Sequence, residues 1–420
     1  MIKSWQAVTF SIVLSAVLVA FDVPSGDWWS TSAFSLAAGV AALSMMGIAA
    51  VLSARLAWVE SLFGGLDRLY LVHKWLAVWA LGLASFHLVF HAGMQGWNTA
   101  PIIAMPRDVT RFLRQFSFVG VMFIVLLALN RNIPYRVWRQ WHKLSGPLFI
   151  VVILHWLSIK SPVAWTSPAG LWMALTTGAG VVAALYKLVL YRFVSGQAEY
   201  RVVAVSPGKA AIHLELEPVG KPIAFTPGQF GFLRMKHDGL REPHPFTIAS
   251  GQHPDGRVDF VIRALGDFTS QLVANVRVGM LADIYAPHGR FTRNTQAPRE
   301  VWIGGGVGIS PFIAWLKDSE AGGFEHVTLF YFYTPGREFP EVPVLQAMAD
   351  RRGVTLVPVP DGPISPTFQQ RFGAIVREIG GPSVDVSFCG PSGLLHVIRA
   401  QMHADGVPET NLRYEYFNFR

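Results

Sequence analysis

Six long apolar runs fill the first 190 residues, near 5–21, 31–54, 71–93, 116–129, 144–159 and 163–186. A helix needs about 20 predominantly apolar residues to cross the hydrocarbon core, so these runs commit this half of the chain to membrane-spanning helices. The fourth and fifth are short and draw on neighbours such as Phe112 and Trp141. The "SGDWWS" stretch after the first run offers no small-x-small cleavage site, so that run reads as a retained helix rather than a secretory signal. The whole-chain average, 51% hydrophobic with 15% charged and a mean hydropathy of +0.36, suits neither a soluble enzyme nor a protein lying wholly in lipid. A division into halves of different character resolves it. The expectation is a multi-domain chain: an all-α six-helix transmembrane bundle over residues 1–196, then a soluble module.

The basic residues orient the bundle. With the N-terminus inside, the inner side collects Lys3, Arg55, Arg68, Lys74, Arg131, Arg136, Arg139, Lys143, Lys187 and Arg192. The outer side holds Arg107, Arg111, Arg114 and Lys160. Ten against four favours an inside N-terminus, and six spans of the cell's inner (cytoplasmic) membrane then place the C-terminal half in the cytoplasm, although the outer arginine cluster runs against the rule. This topology accounts for much of the net charge of +8, and no basic stripe with interleaved aromatics suggests nucleic acid. The single cysteine, Cys389, excludes a disulfide framework and any cysteine-based zinc or iron–sulfur site.

Two of the runs carry histidines at membrane depth, where an ionisable group is costly and a functional role is the default. "HKWLAVWALGLASFHLVFH" holds His73, His87 and His91, and "WHKLSGPLFIVVILHW" holds His142 and His155. His73 and His87 are 14 residues apart, hence on one helix face and about 21 Å apart in depth. His142 and His155 are 13 apart, about 20 Å in depth, but rotated about 140° from a common face. Gly146–Pro147 lies between them, and a proline that kinks the helix supplies the needed adjustment. Paired imidazoles at two depths suit two b-type haems, each iron held by one nitrogen from each helix. The alternative is four packing histidines bonded to neighbouring helices. His91 falls about 27 Å from His73, too deep to match the partner helix. It sits near the outer surface, either facing the electron acceptor or simply solvated.

From Glu199 the pattern alternates with period two in short segments, "YRVVAVSP", "AAIHLELEP", "QFGFLRM" and "RVDFVIRAL", which predict an antiparallel barrel over 197–298. From Glu300 the rhythm is strand, glycine loop, helix, strand, which predicts an α/β nucleotide-binding domain over 299–420 with a parallel sheet. In "GGGVGISP", Gly304, Gly305, Gly306 and Gly308 let backbone N–H groups approach a pyrophosphate, and Pro311 fits the first helical turn. Tight turns use the same residues. "HPFTIAS" (244–250) closes a strand, and "IRALGDFTSQL" (262–272) offers Arg263, then Gly266 and Thr269 at a helix start. Each alone is equally an ordinary turn or cap; side by side on one barrel they describe a flavin site.

These motifs together resemble the NADPH oxidase and ferric reductase superfamily, most closely its bacterial NADPH-oxidase-type members. The resemblance runs from about residue 30 to 420 and rests on His73-x13-His87, His142-x12-His155, "HPFT", "GDFT", "GGGVGISPF", "CGP" and the final "YEYFNFR". It implies a ferredoxin-reductase-like module behind the bundle. His73 and His142 would hold an inner haem, and His87 and His155 an outer one. His244, Pro245, Phe246, Thr247, Arg263, Gly266 and Thr269 would contact FAD. Gly304, Gly305, Gly306, Gly308 and Gly390 would cradle NADPH or NADH, with Cys389 near the nicotinamide and Phe417 stacked on the isoalloxazine. Arg337 is either a partner for a 2′-phosphate, favouring NADPH, or a solvated loop charge; Cys389 is otherwise a small buried residue.

The implied activity is a superoxide-generating NAD(P)H oxidase: electrons pass from cytoplasmic NAD(P)H through FAD and two haems to dioxygen outside. His91 matches an extra histidine of that family, whereas residues 31–45 lack the arginine that animal oxidases place there. The acceptor therefore stays open among dioxygen, a ferric chelate, and a quinone or periplasmic partner. A non-enzymatic haem scaffold is the rival of a different class. No calcium-binding segment precedes the first run, so constitutive operation without obligatory accessory subunits is the expectation.

Overall fold

The computed structural model describes residues 2–90, 93, 95–190, 197–208 and 211–415, and divides after residue 194 into two compact units. The first is helical: α1 (Ser4–Val19), α2 (Thr31–Ser53), α3 (Ala57–Phe63), α4 (Leu66–Val89), α5 (Arg107–Leu129), α6 (Tyr135–His142), α7 (Ser145–Ser158) and α8 (Pro168–Leu185), the last passing into a π-helical turn, Tyr186–Leu190. Four helices among the described residues are long and apolar enough to cross a membrane: α2, α4, α5, and α8 with its π turn. α1 is apolar but has 16 residues, and α7 has 14.

The brevity of α7 has a local cause. Pro147 has no N–H to give the carbonyl of Lys143, and the helix breaks at Lys143–Leu144, both of which keep helical torsions. α6, this junction and α7 thus follow one broken helical course as long as α4. α5, by contrast, starts nine residues before its apolar run and reaches full length by including three arginines in its first turns.

α2 sits at the centre of the unit, with Met45 and Ala41 fully buried, and packs against α1, α4 and α8. A Cβ on Gly47 would collide with the Thr176 carbonyl, and one on Gly180 would lie 3.0 Å from the Gly47 backbone, so small residues let α2 and α8 touch. At the end of the unit that holds the starts of α2 and α8, the connections are tied together. Trp97 Nε1 donates to Asp27 Oδ2 at 2.7 Å, Ser167 Oγ donates to Asp22 Oδ2 at 3.0 Å, and Ala100 pairs with Ser161.

The second unit opens with six antiparallel strands: β1 (Gln197–Pro207), β2 (Ala211–Pro218), β3 (Phe230–Met235), β4 (His244–Thr247), β5 (Val258–Arg263) and β6 (Leu281–His288). Their order is β4-β3-β6-β1-β2-β5, and a bridge between Ile248 and Phe260 brings the two edges together into a nearly closed barrel. Pro245 is tolerated because β4 stands at the sheet edge. Tyr200, Leu214, Met235, Phe260 and Ile284 fill the barrel, and α9 (Asp267–Asn275) follows β5.

Five parallel strands follow: β7 (Arg299–Gly305), β8 (Val327–Phe332), β9 (Thr355–Val359), β10 (Val384–Cys389) and β11 (Leu412–Tyr414), in the order β11-β10-β7-β8-β9. α10 (Ser310–Lys317) and α11 (Val342–Asp350) cover one face through Phe312, Trp315 and Leu345. α12 (Pro366–Ile379) and α13 (Ser392–Ala404) cover the other through Phe368, Phe372 and Ile398. The connection into this sheet is pinned by Arg293, which meets Glu300 at 2.7 and 3.1 Å while Trp302 Nε1 donates to the same carboxylate at 2.9 Å.

Candidate functional site

Within the helical unit, the rings of His73 on α4 and His142 at the end of α6 face each other edge-on, with centroids 6.2 Å apart and planes at 76°. His73 Nδ1 lies 2.8 Å from the Ala49 carbonyl of α2. A carbonyl only accepts, so Nδ1 carries the hydrogen and Nε2 keeps its lone pair. His87 repeats this arrangement, with Nδ1 2.8 Å from the Ser35 carbonyl and 3.2 Å from the Ser35 hydroxyl. Gly39 makes room for it: a Cβ there would lie 3.1 Å from the imidazole. His155 is near enough to His87 for their charges to interact.

Between the two pairs lies an apolar layer of Ala77, Val78 and Leu81 from α4, Leu148 and Val152 from α7, and Val121, Ile124 and Val125 from α5. His142 Nδ1 and His155 Nδ1 are buried with no hydrogen-bond partner among the described residues. Among the described residues no three His, Cys, Asp or Glu side chains cluster as a metal site; the histidines stand two and two. The break at Lys143–Leu144 separates His142 from the helix carrying His155. The α2 partners Ala49, Ser35 and Gly39 were missed in the sequence, where only the small and polar residues interrupting the 31–54 run hint at them. His91 lies outside the described residues.

In the second unit the strand order reverses between the parallel neighbours β7 and β10. Ligands of open α/β sheets bind at such a switch point, beyond the carboxyl ends of the strands. The loops there are Gly304–Ile309 and Cys389–Pro391, adjacent because Cys389 pairs in register with Gly304. A Cβ on Gly308 would collide with the Cys389 carbonyl, and one on Gly305 would press on Pro391 and Leu394. Gly304 and Gly390 are likewise crowded by protein atoms, Gly304 by Ile309 and Gly390 by Gly305. Gly306 differs: its φ is +57°, and the one atom near its missing side chain is an Arg263 guanidinium nitrogen at 3.6 Å. Close loop packing therefore needs most of these glycines, and Gly306 supplies the opening. Pro311 lies in the first turn of α10, as its missing N–H allows.

Arg263 ends β5, and its Nε is buried with no partner among the described residues. His244, opening β4, stacks on Phe268 of α9 with ring centroids 3.7 Å apart. Pro245, Phe246 and Thr247 continue β4 opposite Phe232, Gly231 and Phe230. Gly266 faces open space before α9, and the Thr269 hydroxyl is engaged by its own loop, accepting from the Leu265 and Gly266 N–H groups at 3.0 Å each. Arg337 lies exposed in the turn after β8. Cys389 is fully buried, and burial, with Glu415 nearby, pushes its thiol well above the usual range, so it stays a neutral packing group. Phe417 lies outside the described residues.

Behind Arg263's strand, Lys317 Nζ meets Asp259 Oδ2 at 2.6 Å, with His213 Nε2 at 3.4 Å. Burial disfavours the Asp259 carboxylate, but His213 and Lys317 outweigh it and hold the carboxyl at about 2. This contact fastens α10, and with it the glycine loop, to the barrel.

Residues 38–153 match a ferric reductase like transmembrane component, and residues 197–303 match a FAD-binding domain. A probable cell surface ferric reductase of Aspergillus oryzae is 26% identical over 306 residues, 68% of this chain and 38% of its own length. The electron transfer component of a toluate 1,2-dioxygenase from Pseudomonas putida is 29% identical over 203 residues, 46% of this chain and 59% of its own. The chain thus spans less than two thirds of either relative. Among solved structures, a ferredoxin reductase of a carbazole 1,9a-dioxygenase covers 53% of this chain and 69% of its own, with 23% identity and a TM-score of 0.44. With a ferric-reductase-like transmembrane part joined to a FAD-binding barrel, the chain has the architecture of the NADPH oxidase and ferric reductase superfamily.

Proposed function

We propose that the chain moves electrons from cytoplasmic NAD(P)H through FAD and two b-type haems across the cell's inner membrane to dioxygen, forming superoxide. His73 with His142, and His87 with His155, are the haem ligands in this reading. The observation that carries it is the His73–His142 pair. His73 and His142 would hold one iron between them, and bonds of about 2 Å with about 1 Å more to each ring centre would allow ring centres about 6 Å apart. The rings here are 6.2 Å apart, with the His73 Nδ1–H committed to a carbonyl and its Nε2 left as donor. FAD, when bound, takes two electrons together and releases them singly, and the haems relay single electrons.

The protein's own groups provide the rest. Ala49 and Ser35 fix the orientation and tautomer of His73 and His87, which raises their basicity as ligands. Arg263 and the opening at Gly306 offer charge and backbone N–H groups to phosphates at the start of α10. His244 and the HPFT strand stand beside them for the flavin, and Gly304, Gly305, Gly308 and Gly390 shape the nucleotide loop. Exposed Arg337 is a partner for a 2′-phosphate, which favours NADPH over NADH. Residues 1–196, 197–298 and 299–420 are then the haem, FAD and nucleotide domains, the last two in the cytoplasm.

A ferric chelate is the second acceptor, favoured by the similarity to the Aspergillus protein described as a ferric reductase. An anaerobic NADPH-reduced spectrum followed by admission of oxygen tests the proposal. Two haems per chain that reduce with NADPH and reoxidise with superoxide release are expected. A chain with no Soret band after reconstitution, or a His87→Leu variant keeping two haems, discards it. Iron(III)-dependent NADPH oxidation without oxygen use selects the ferric acceptor.

A further inference from the structure

The arginines that ran against the charge rule form an ordered stripe. Arg107, Arg111 and Arg114 stand at i, i+4 and i+7 in the first turns of α5, within about 60° of one another around the helix. All three are exposed, while Leu113 and Ser117 carry the inward face, so packing does not call for them. Cations at this end of a helix oppose its macrodipole, which makes three of them a cost to α5 itself. The acids at the same end of the unit are engaged elsewhere, Asp27 by Trp97 and Asp22 by Ser167. Among the described residues no ion pair joins any of the three arginines to Asp108 or another acid. α5 packs against α7, the helix that carries His155 in its last turn.

We propose that Arg107, Arg111 and Arg114 are a docking site for an anionic polycarboxylate chelate of ferric iron. Guanidinium forks match carboxylates two bonds at a time, and three aligned forks hold a multiply charged anion far better than a neutral molecule. Dioxygen, uncharged, gains nothing from them. Docking stands independently, whereas turnover rests on the proposed electron path: each docked chelate takes one of the two electrons supplied by the pyridine nucleotide. Its iron(III) leaves as iron(II), with no bond broken and no proton moved.

Gallium(III) citrate, which is redox-inert, reads docking apart from turnover. Titrated calorimetrically into the full chain, it binds with an affinity that falls as salt rises. R107Q/R111Q/R114Q weakens it about tenfold or more, consistent with the local enrichment a charged site gives. The matching triple lysine variant stays within a few-fold of the parent, and unchanged NADPH-driven flavin reduction shows that the glutamine variant is folded. In turnover, the same variant raises KM for ferric citrate and leaves KM for cationic hexaammineruthenium(III) level or lower. Equal gallium citrate affinity in parent and glutamine variant overturns the proposal. So does binding in detergent that vanishes in phosphatidylglycerol nanodiscs, which assigns the arginines to lipid phosphates. Arginine-dependent gallium citrate binding without any ferric citrate reduction upholds docking and removes the electron path instead.

Discussion

In residues 197–415 two carboxylates with little exposure are each met by cations: Arg293 meets Glu300, both side chains under 10% exposed, and Lys317 and His213 converge on Asp259. In the helical half, His142 and His155 each bury an Nδ1 with no hydrogen-bond partner among the described residues, in a medium far less forgiving of it. The first arrangement is what a fold needs to hold itself together. The second is a cost to the fold alone, which fits the metal-holding task proposed for these imidazoles. In the second unit Arg263 buries an Nε with no partner among the described residues, and its guanidinium Nη1 would stand 3.6 Å from a side chain at Gly306.

The largest effect should come from breaking the helical side. His142→Leu should remove one of two haems and abolish NADPH-driven reduction at the far face, read from the pyridine haemochrome spectrum and acceptor turnover. The helices themselves should be no less stable, since an unpartnered buried polar atom is exchanged for an apolar one. A variant that unfolds while its haem content per folded chain stays at two would make His142 a structural residue. On the other side, Glu300→Ala strands Arg293 and Trp302 Nε1, and removal of one partner of a buried pair costs about 3–5 kcal/mol. Faster hydrogen exchange of the β7 and β10 amides would register it; unchanged exchange would deny the pair its role.

Acid provides a graded test. With the Asp259 carboxyl at about 2 in the folded chain and 3.8 as the ordinary value, its contribution is complete above pH 4. It is lost as pH falls towards 2, and amounts to about 2 kcal/mol. Asp259→Asn should flatten that part of the acid-unfolding curve. An identical curve in the variant would show that the carboxylate is not held by Lys317 and His213.

How far the sequence revealed this depends on the range over which each feature is determined. The 14- and 13-residue histidine spacings are local and suggested which imidazoles to compare, of which the rings of His73 and His142 lie 6.2 Å apart, and Pro147 marked the break because its effect reaches only four residues back. The barrel strands showed in their alternation, since one face is core. Membrane crossing by length was less legible: α5 extends through arginines that hydropathy discounts, and α1 and α7 end short of their runs' expected reach. The carbonyls of Ala49 and Ser35, the Arg263–Gly306 approach and the Arg293–Glu300 pair join residues distant in the chain or hidden among similar ones. No periodicity encodes them. In the glycine loop, Gly308 and Gly305 lie against the β10 loop, a packing role that the glycine pattern alone does not separate from approach to a ligand.

The smallest predicted effect separates the two acceptors on His87. Ser35 offers both a hydroxyl at 3.2 Å and a main-chain carbonyl at 2.8 Å to the same Nδ1. The carbonyl is shorter and cannot be mutated away, so it should decide the tautomer. Ser35→Ala then loses one weak hydrogen bond, about 1 kcal/mol at most, and keeps both haems with little change in the optical spectrum. Loss of the outer haem in this variant would mean that the hydroxyl, not the backbone, aims the imidazole. The small residues of α2 would then be part of the ligand set rather than only the space around it.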